Sequence, residues 1–172
     1  MNNRLYILCG IPFSGKTTLA KKMVEKFNFT RIDLDEVKFD LFGSSVIDSE
    51  IDQSGWDKIY KEMYQKIGES LKQGGTVVHD TGNFTRNERF IVKKIADDLG
   101  IESVTVFVDT PTEEAYKRLM ENRNKKIRFD VSDVDFNSTV AEMEKPGDDE
   151  KHLLYKWTED FDSWINNQIV SG

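Results

Sequence analysis

The sequence predicts an α/β fold, a five-stranded parallel sheet covered by helices on both faces as a three-layer sandwich. Three observations predict it. Short apolar runs alternate with segments of helical periodicity along the chain, the pattern of strands joined by right-handed helical crossovers. The first run, Leu5 to Cys9, is uninterrupted, as suits a strand buried on both faces. It passes directly into Gly10-Ile11-Pro12-Phe13-Ser14-Gly15-Lys16-Thr17, which fits the phosphate-cradling P-loop pattern G-x-x-x-x-G-K-[ST]. Leu19, Ala20, Met23, Val24 and Phe27 then recur at helical spacing, so the loop has the strand before and the helix after that its chemistry requires.

The remaining elements follow in order. Phe29 to Asp33 reads as a second strand, and Asp35 to Phe42 as a short helix ended by Gly43. Residues 44–54 are polar and unpatterned, a surface loop. Trp56, Ile59, Tyr60, Met63, Tyr64, Ile67 and Leu71 keep to the i, i+3, i+4, i+7 template, and Gly74-Gly75 stops that helix. Its aromatic stripe reads as core packing. Thr76 to His79 is a third strand. Thr85-Arg86-Asn87-Glu88 is a capping box opening a helix that runs to Leu99, with Gly100 as its stop. Val104 to Val108 is a fourth strand. Thr110-Pro111-Thr112-Glu113 places an N-cap threonine, a proline at the first helical position and a glutamate three on, and the helix carries Ala115, Leu119 and Met120 inward. From Asn122 to Pro146 the pattern weakens and charge rises, as in a mobile lid holding one helix. His152 to Trp157 gives a fifth strand, and Phe161, Trp164, Ile165 and Ile169 a closing helix.

At 172 residues the chain suits one domain spanning 1–172. No apolar run approaches the ~18 residues that span a membrane. The opening Met-Asn-Asn-Arg lacks the shape of a signal peptide, so a cytoplasmic protein is expected. A single cysteine, Cys9, permits no internal disulfide and reads as a small buried filler. The net charge of −7 is unevenly spread, with six Lys/Arg against Glu25 alone in residues 1–31 and another six against Glu121 and Asp130 in residues 115–130. Local positive patches on an acidic body suit a bound anion such as ATP better than a nucleic-acid coat.

In a parallel sheet, ligands gather beyond the carboxyl ends of the strands. After the first strand, Gly10, Pro12, Phe13, Ser14, Gly15, Lys16, Thr17 and Thr18 would bind ATP, Lys16 reaching the β- and γ-phosphates and Thr17 ligating Mg²⁺. After the second come Asp33, Asp35 and Lys38. Asp35 opens the short helix, as base or N-cap or both, with Asp33 as its backup. After the third, Asp80 is placed like a Walker B acid supporting the metal, followed by Asn83 and Arg86. His79, within the strand, is given a structural role. Arg118 and Arg123 lead into the lid region and would stabilise the transferring phosphoryl group.

Together these residues resemble the small P-loop kinases of the polynucleotide-kinase-like group, which includes chloramphenicol phosphotransferase and many AAA-type predicted kinases. The carriers are residues 10–18, Ile32-Asp33-Leu34-Asp35-Glu36-Val37-Lys38, Asp80-Thr81-Gly82-Asn83-Phe84-Thr85-Arg86, the pair Arg118 and Arg123, and Lys-Pro-Gly-Asp-Asp-Glu at 145–150. The resemblance implies a sheet ordered 2-3-1-4-5 and makes Asp35 the general base. Two departures stand out. Lys38 replaces an arginine that faces the acceptor, which loses a bidentate fork, and Gly82 is inserted in the Asp80 motif. The expected activity is ATP- and Mg²⁺-dependent phosphoryl transfer to a hydroxyl of a small molecule, nucleoside or nucleotide, with Asp33, Lys38, Asn83 and Arg86 toward the acceptor. A polynucleotide 5′-hydroxyl kinase and a regulatory ATPase or ATP-binding switch are the alternatives.

Overall fold

The computed structural model describes residues 3–126 and 128–170. Met1 and Asn2, the start of the segment tested for a signal peptide, and Ile127, inside the expected lid, lie outside them. The order is β1 (Arg4–Cys9), α1 (Lys16–Phe27), β2 (Thr30–Asp33), α2 (Leu34–Phe42), α3 (Gln53–Lys72), β3 (Val77–Asp80), α4 (Arg86–Asp97), β4 (Glu102–Asp109), α5 (Thr112–Lys125), α6 (Asp133–Glu142), β5 (His152–Lys156) and α7 (Phe161–Ile165). The five strands pair in parallel in the order β2-β3-β1-β4-β5. All the loops after the strands therefore open on one edge of the sheet, with the P-loop at its centre.

Strand alternation builds the two faces. Leu5 and Ile7 of β1, with Ile32 and Val77, pack under Val37 of α2, Ile59, Met63, Ile67 and Leu71 of α3, and Val92 and Ala96 of α4. Tyr6 and Leu8 of β1, with Val78, Val104, Val106 and Val108, pack on Leu19, Ala20 and Met23 of α1 and on Phe161, Trp164 and Ile165 of α7. Trp164 donates its indole N–H to the Leu154 carbonyl at 2.7 Å, which ties α7 to β5. A third cluster joins Ile11 and Phe13 of the P-loop to Ala115 and Leu119 of α5 and Phe136 of α6. The helix of the expected lid thus shares an apolar seam with the phosphate loop.

Several local expectations are corrected. Asp33, not Asp35, caps α2, accepting the Glu36 N–H at 3.1 Å. α3 begins at Gln53 under an Asp52 cap, which shortens the surface loop. The fully buried stripe of α3 is Ile59, Met63, Ile67 and Leu71; Trp56 and Tyr64 pack half-buried against that core as expected, but Tyr60 is exposed, the three tilted rings spaced 6.3 and 6.0 Å apart. Pro111 occupies the cap of α5, and the Thr110 hydroxyl donates instead to the Ser14 carbonyl at 2.8 Å. Met120 is 41% exposed, because the inward phase of α5 runs through Ala115, Leu119 and Asn122. α5 also continues to Lys125, inside the stretch expected to be lid.

Candidate active site

The P-loop curls because its backbone visits conformations that side chains resist. Gly15 has φ +108°, and a Cβ at Gly10 would meet the Ser14 Oγ and the Val108 carbonyl at 2.9 Å. Phe13 takes φ +62° and is held by its burial against α5 and α6. Lys16 folds back over the curl and donates to the carbonyls of Gly10 at 2.6 Å and Ile11 at 2.9 Å. Burial pushes its ammonium down to about 8, against the pull of Asp80. Among the described residues, the Ser14 hydroxyl is the one buried side-chain polar atom without a partner. An unpartnered hydroxyl inside a glycine curl, with an ammonium over it, fits an incoming phosphate.

The Thr17 hydroxyl donates to Asp80 Oδ1 at 3.3 Å, so the two residues expected to hold Mg²⁺ face each other across the ends of β1 and β3. Among the described residues no three His, Cys, Asp or Glu side chains form a ligand cluster.

Arg31 was not anticipated. Its guanidinium donates through Nε to Asp80 Oδ2 at 2.8 Å, through Nη2 to Asp33 and through Nη1 to Glu36. Burial raises the Asp33 carboxyl to about 6, Arg31 working against the shift and the nearby Asp80 with it. Asp35 points elsewhere. Its Oδ1 pairs with Lys38 Nζ at 2.8 Å, and the same ammonium reaches Asp48 at 2.8 Å. Lys38 itself is buried.

Asn83 donates its amide to the Leu8 carbonyl at 2.7 Å and lies 3.3 Å from the His79 ring. That commits the expected acceptor contact to holding the β3 turn against β1. His79 is fully buried and pushed down to about 3, so it is neutral and structural. Arg86 pairs with Asp149 on the surface. One turn on, Arg89 is buried and bonds Glu150 through two nitrogens at 2.5 and 3.0 Å, together with the Asn83 and Phe84 carbonyls and Cys9 Sγ. Cys9 is the buried filler expected, its thiol pushed up to about 11 by burial.

On the other flank, Arg118 donates to the Ser14 carbonyl at 3.1 Å and pairs with Glu114, its guanidinium 5.8 Å from the Trp157 ring. A cleft of about 380 Å³ opens there beside Gly15, Thr18, Arg128 and Tyr155. Arg123 is tied to Asp130 and Asp133 at 2.9 Å and to the Val131 carbonyl, so it braces the approach to α6 rather than the phosphate loop. Arg128 lies 4.5 Å over the Phe13 ring, and no carboxylate pairs with it among the described residues. Asn122 clasps the Arg128 backbone from both sides, donating to its carbonyl and accepting from its N–H at 3.0 Å each.

A glycine curl under a lysine, a hydroxyl facing a strand-end aspartate and a second row of carboxylates place the chain in the P-loop kinase class. The chain belongs to the AAA domain family, which matches residues 5–146. It is similar to the pentafunctional AROM polypeptide of Kluyveromyces lactis, 29% identical over 126 residues, covering 64% of this chain but only 8% of that one. It is also 29% identical over 121 residues to a shikimate kinase of Caldicellulosiruptor bescii, covering 70% of this chain and 67% of that one. In structure it is similar to a putative kinase from Chloroflexus aurantiacus, with a TM-score of 0.72, 17% identity, and 98% and 100% of the two chains covered. A chain in the Pnkp1/Rnl/Hen1 RNA repair complex superposes with a TM-score of 0.70 at 22% identity, over 82% of this chain and 44% of that one. At those identities the structural likenesses show the fold alone. No helix among the described residues is long and apolar enough to cross a membrane.

Proposed function

We propose that the protein is an ATP- and Mg²⁺-dependent kinase that phosphorylates a hydroxyl of a small molecule. One observation carries this reading: Lys16, Thr17, the unpartnered Ser14 hydroxyl and Asp80 converge on the glycine curl, with Asp33 and Asp35 on the next strand end. Bound Mg²⁺ supplies charge neutralisation across the phosphates. Lys16 and the loop amides hold the phosphates, Thr17 takes the metal and Asp80 supports it. Arg31 keeps Asp80 and Asp33 in register. Arg118 stays beside the loop, and Arg128, which no carboxylate pairs with among the described residues, is the lid cation able to meet the developing charge.

Asp35 is the base in this reading. Both oxygens of Asp33 are engaged, by Glu36 N–H and Arg31, whereas Asp35 keeps one oxygen without a partner among the described residues. It takes the proton of the acceptor hydroxyl, whose oxygen forms the new P–O bond as the bond to ADP breaks. The acidic surroundings of Asp35, and the loss of the arginine fork at Lys38, favour a small acceptor over a polynucleotide. The test is ADP release across a panel of hydroxyl acceptors. Acceptor-dependent release that Lys16→Ala and Asp35→Asn each abolish, with Mg·ATP binding kept in Asp35→Asn, supports the kinase. Slow release that no acceptor accelerates and that Asp35→Asn leaves intact supports the regulatory ATPase instead.

A further inference from the structure

The other side of the strand ends holds a cavity with a character of its own. It is about 100 Å³, walled by Leu34, Tyr60, Tyr64, Phe84, Thr81 and Glu88. Gly82 makes this wall possible: a Cβ there would fall 2.2 Å from the Phe84 ring, so the ring occupies the space a side chain would take. That ring is 5.7 Å from Lys16 Nζ, which sets the cavity beside the phosphate curl. The volume is well below the roughly 300–1,000 Å³ that encloses a drug-sized ligand, so a nucleoside would not enter whole.

The charge in its lining is one-sided. No lysine or arginine lines the cavity, and Glu88 is its one charged group. Glu88 Oε2 accepts the Thr85 N–H at 2.9 Å in the capping box, and Oε1 has no partner among the described residues. Asp48 stands close enough, with Glu88, to add to the burial that holds the Tyr60 phenol above its ordinary value. The cations around it are already engaged: Lys16, over the Phe84 wall, donates to the Gly10 and Ile11 carbonyls, and Arg89, on the Phe84 carbonyl, pairs with Glu150. Arg31 is held by Asp33, Asp80 and Glu36, and Lys38 by Asp35 and Asp48. Tyrosine rings and a free carboxylate oxygen in the lining attract an ammonium and repel a carboxylate or phosphate.

Resting on the kinase reading above, we propose that the acceptor is a compact amine-bearing alcohol, an amino alcohol or amino sugar. Its ammonium sits between Tyr60, Tyr64 and Glu88 while its hydroxyl turns to the aspartates at the strand ends. The reaction is unchanged: the hydroxyl oxygen gains the phosphoryl group, ADP leaves with the electron pair of the broken bond, and Asp35 holds the proton. The amine selects the acceptor and takes no part in the bond exchange.

Two matched trios test this: ethanolamine, ethylene glycol and glycolate, and glucosamine, glucose and glucuronate. ADP release is measured with each, and Mg·ATP binding by calorimetry on the same samples. In each trio the amine is expected to have a KM roughly tenfold below the neutral compound, the scale of a hydrogen bond to a charged group, and the carboxylate to be the poorest. Glu88→Gln keeps the capping contact to Thr85. It is expected to bring the amine's KM up to that of the neutral compound without moving the KM for ATP. A lead for either carboxylate, an unchanged amine KM in Glu88→Gln, or no release with either amine while Mg·ATP still binds overturns the amine assignment alone. Failure to bind Mg·ATP overturns the kinase reading and this one with it.

Discussion

Replacing Asp33 by asparagine should stabilise the fold, and only above acid pH. The carboxyl titrates near 6 in the folded protein, against an ordinary value of 3.8, because burial outweighs the attraction of Arg31. Between about pH 4 and 6 the folded chain keeps a proton that the unfolded chain has already lost. Stability therefore falls as pH rises through that window. The full cost of ionising Asp33 in place is about 3 kcal/mol, taking 1.36 kcal/mol per tenfold change in proton affinity. Asparagine copies the protonated acid, including its acceptor for the Glu36 N–H. Urea unfolding of both proteins should then coincide near pH 4 and separate by up to about 3 kcal/mol at pH 7.5, the variant being the more stable. A gap that does not change with pH, or a variant less stable at pH 7.5, would refute the assignment of Asp33 as a carboxylate ionised against its surroundings.

Other expectations bear on the site and on its supports. The basic limb of kcat/KM for ATP should fall near pH 8, where the free protein's Lys16 loses its proton, and a flat profile through pH 9 would contradict that. Gly10→Ala drives a Cβ against Ser14 and Val108, so urea titration should show a loss of about 1–3 kcal/mol together with weaker Mg·ATP binding. Arg89→Ala leaves Glu150 facing a cavity without its partner; chemical denaturation should register a loss of about 3–5 kcal/mol, and a loss under 1 kcal/mol would show the pair to be dispensable. Arg31→Met strips the buried Asp80 and Asp33 of their shared guanidinium, so urea unfolding should register a loss of about 3–5 kcal/mol and Mg²⁺-dependent ADP release should fall at least tenfold; a variant matching the parent in both would contradict the role.

The fold was legible because its signals are local. The loop pattern, the capping box at Thr85–Glu88 and the apolar runs each announce themselves within a few residues, and the structure keeps all three. What escaped depends on where side chains end. Arg31 sits in an edge strand, where charge reads as solvent-facing, yet strand alternation puts it on the same face as Asp33, and that spacing was the available clue. Arg89 shares the inward phase of Val92 and Ala96, three and seven residues on, a position where an arginine needs a buried partner. Arg86 and Arg123 have acids near them in space that no linear window reveals, Asp149 in one case and Asp130 with Asp133 in the other. Thr110 shows the opposite error: a sound capping signal lost to a tertiary partner, the Ser14 carbonyl.

Calorimetric titration of the whole chain with Mg·AMPPNP asks most directly whether the glycine curl holds a triphosphate. One site per chain is expected, lost in Lys16→Ala while that variant unfolds in urea like the parent. Equal binding by both proteins, or none by either, would contradict the account.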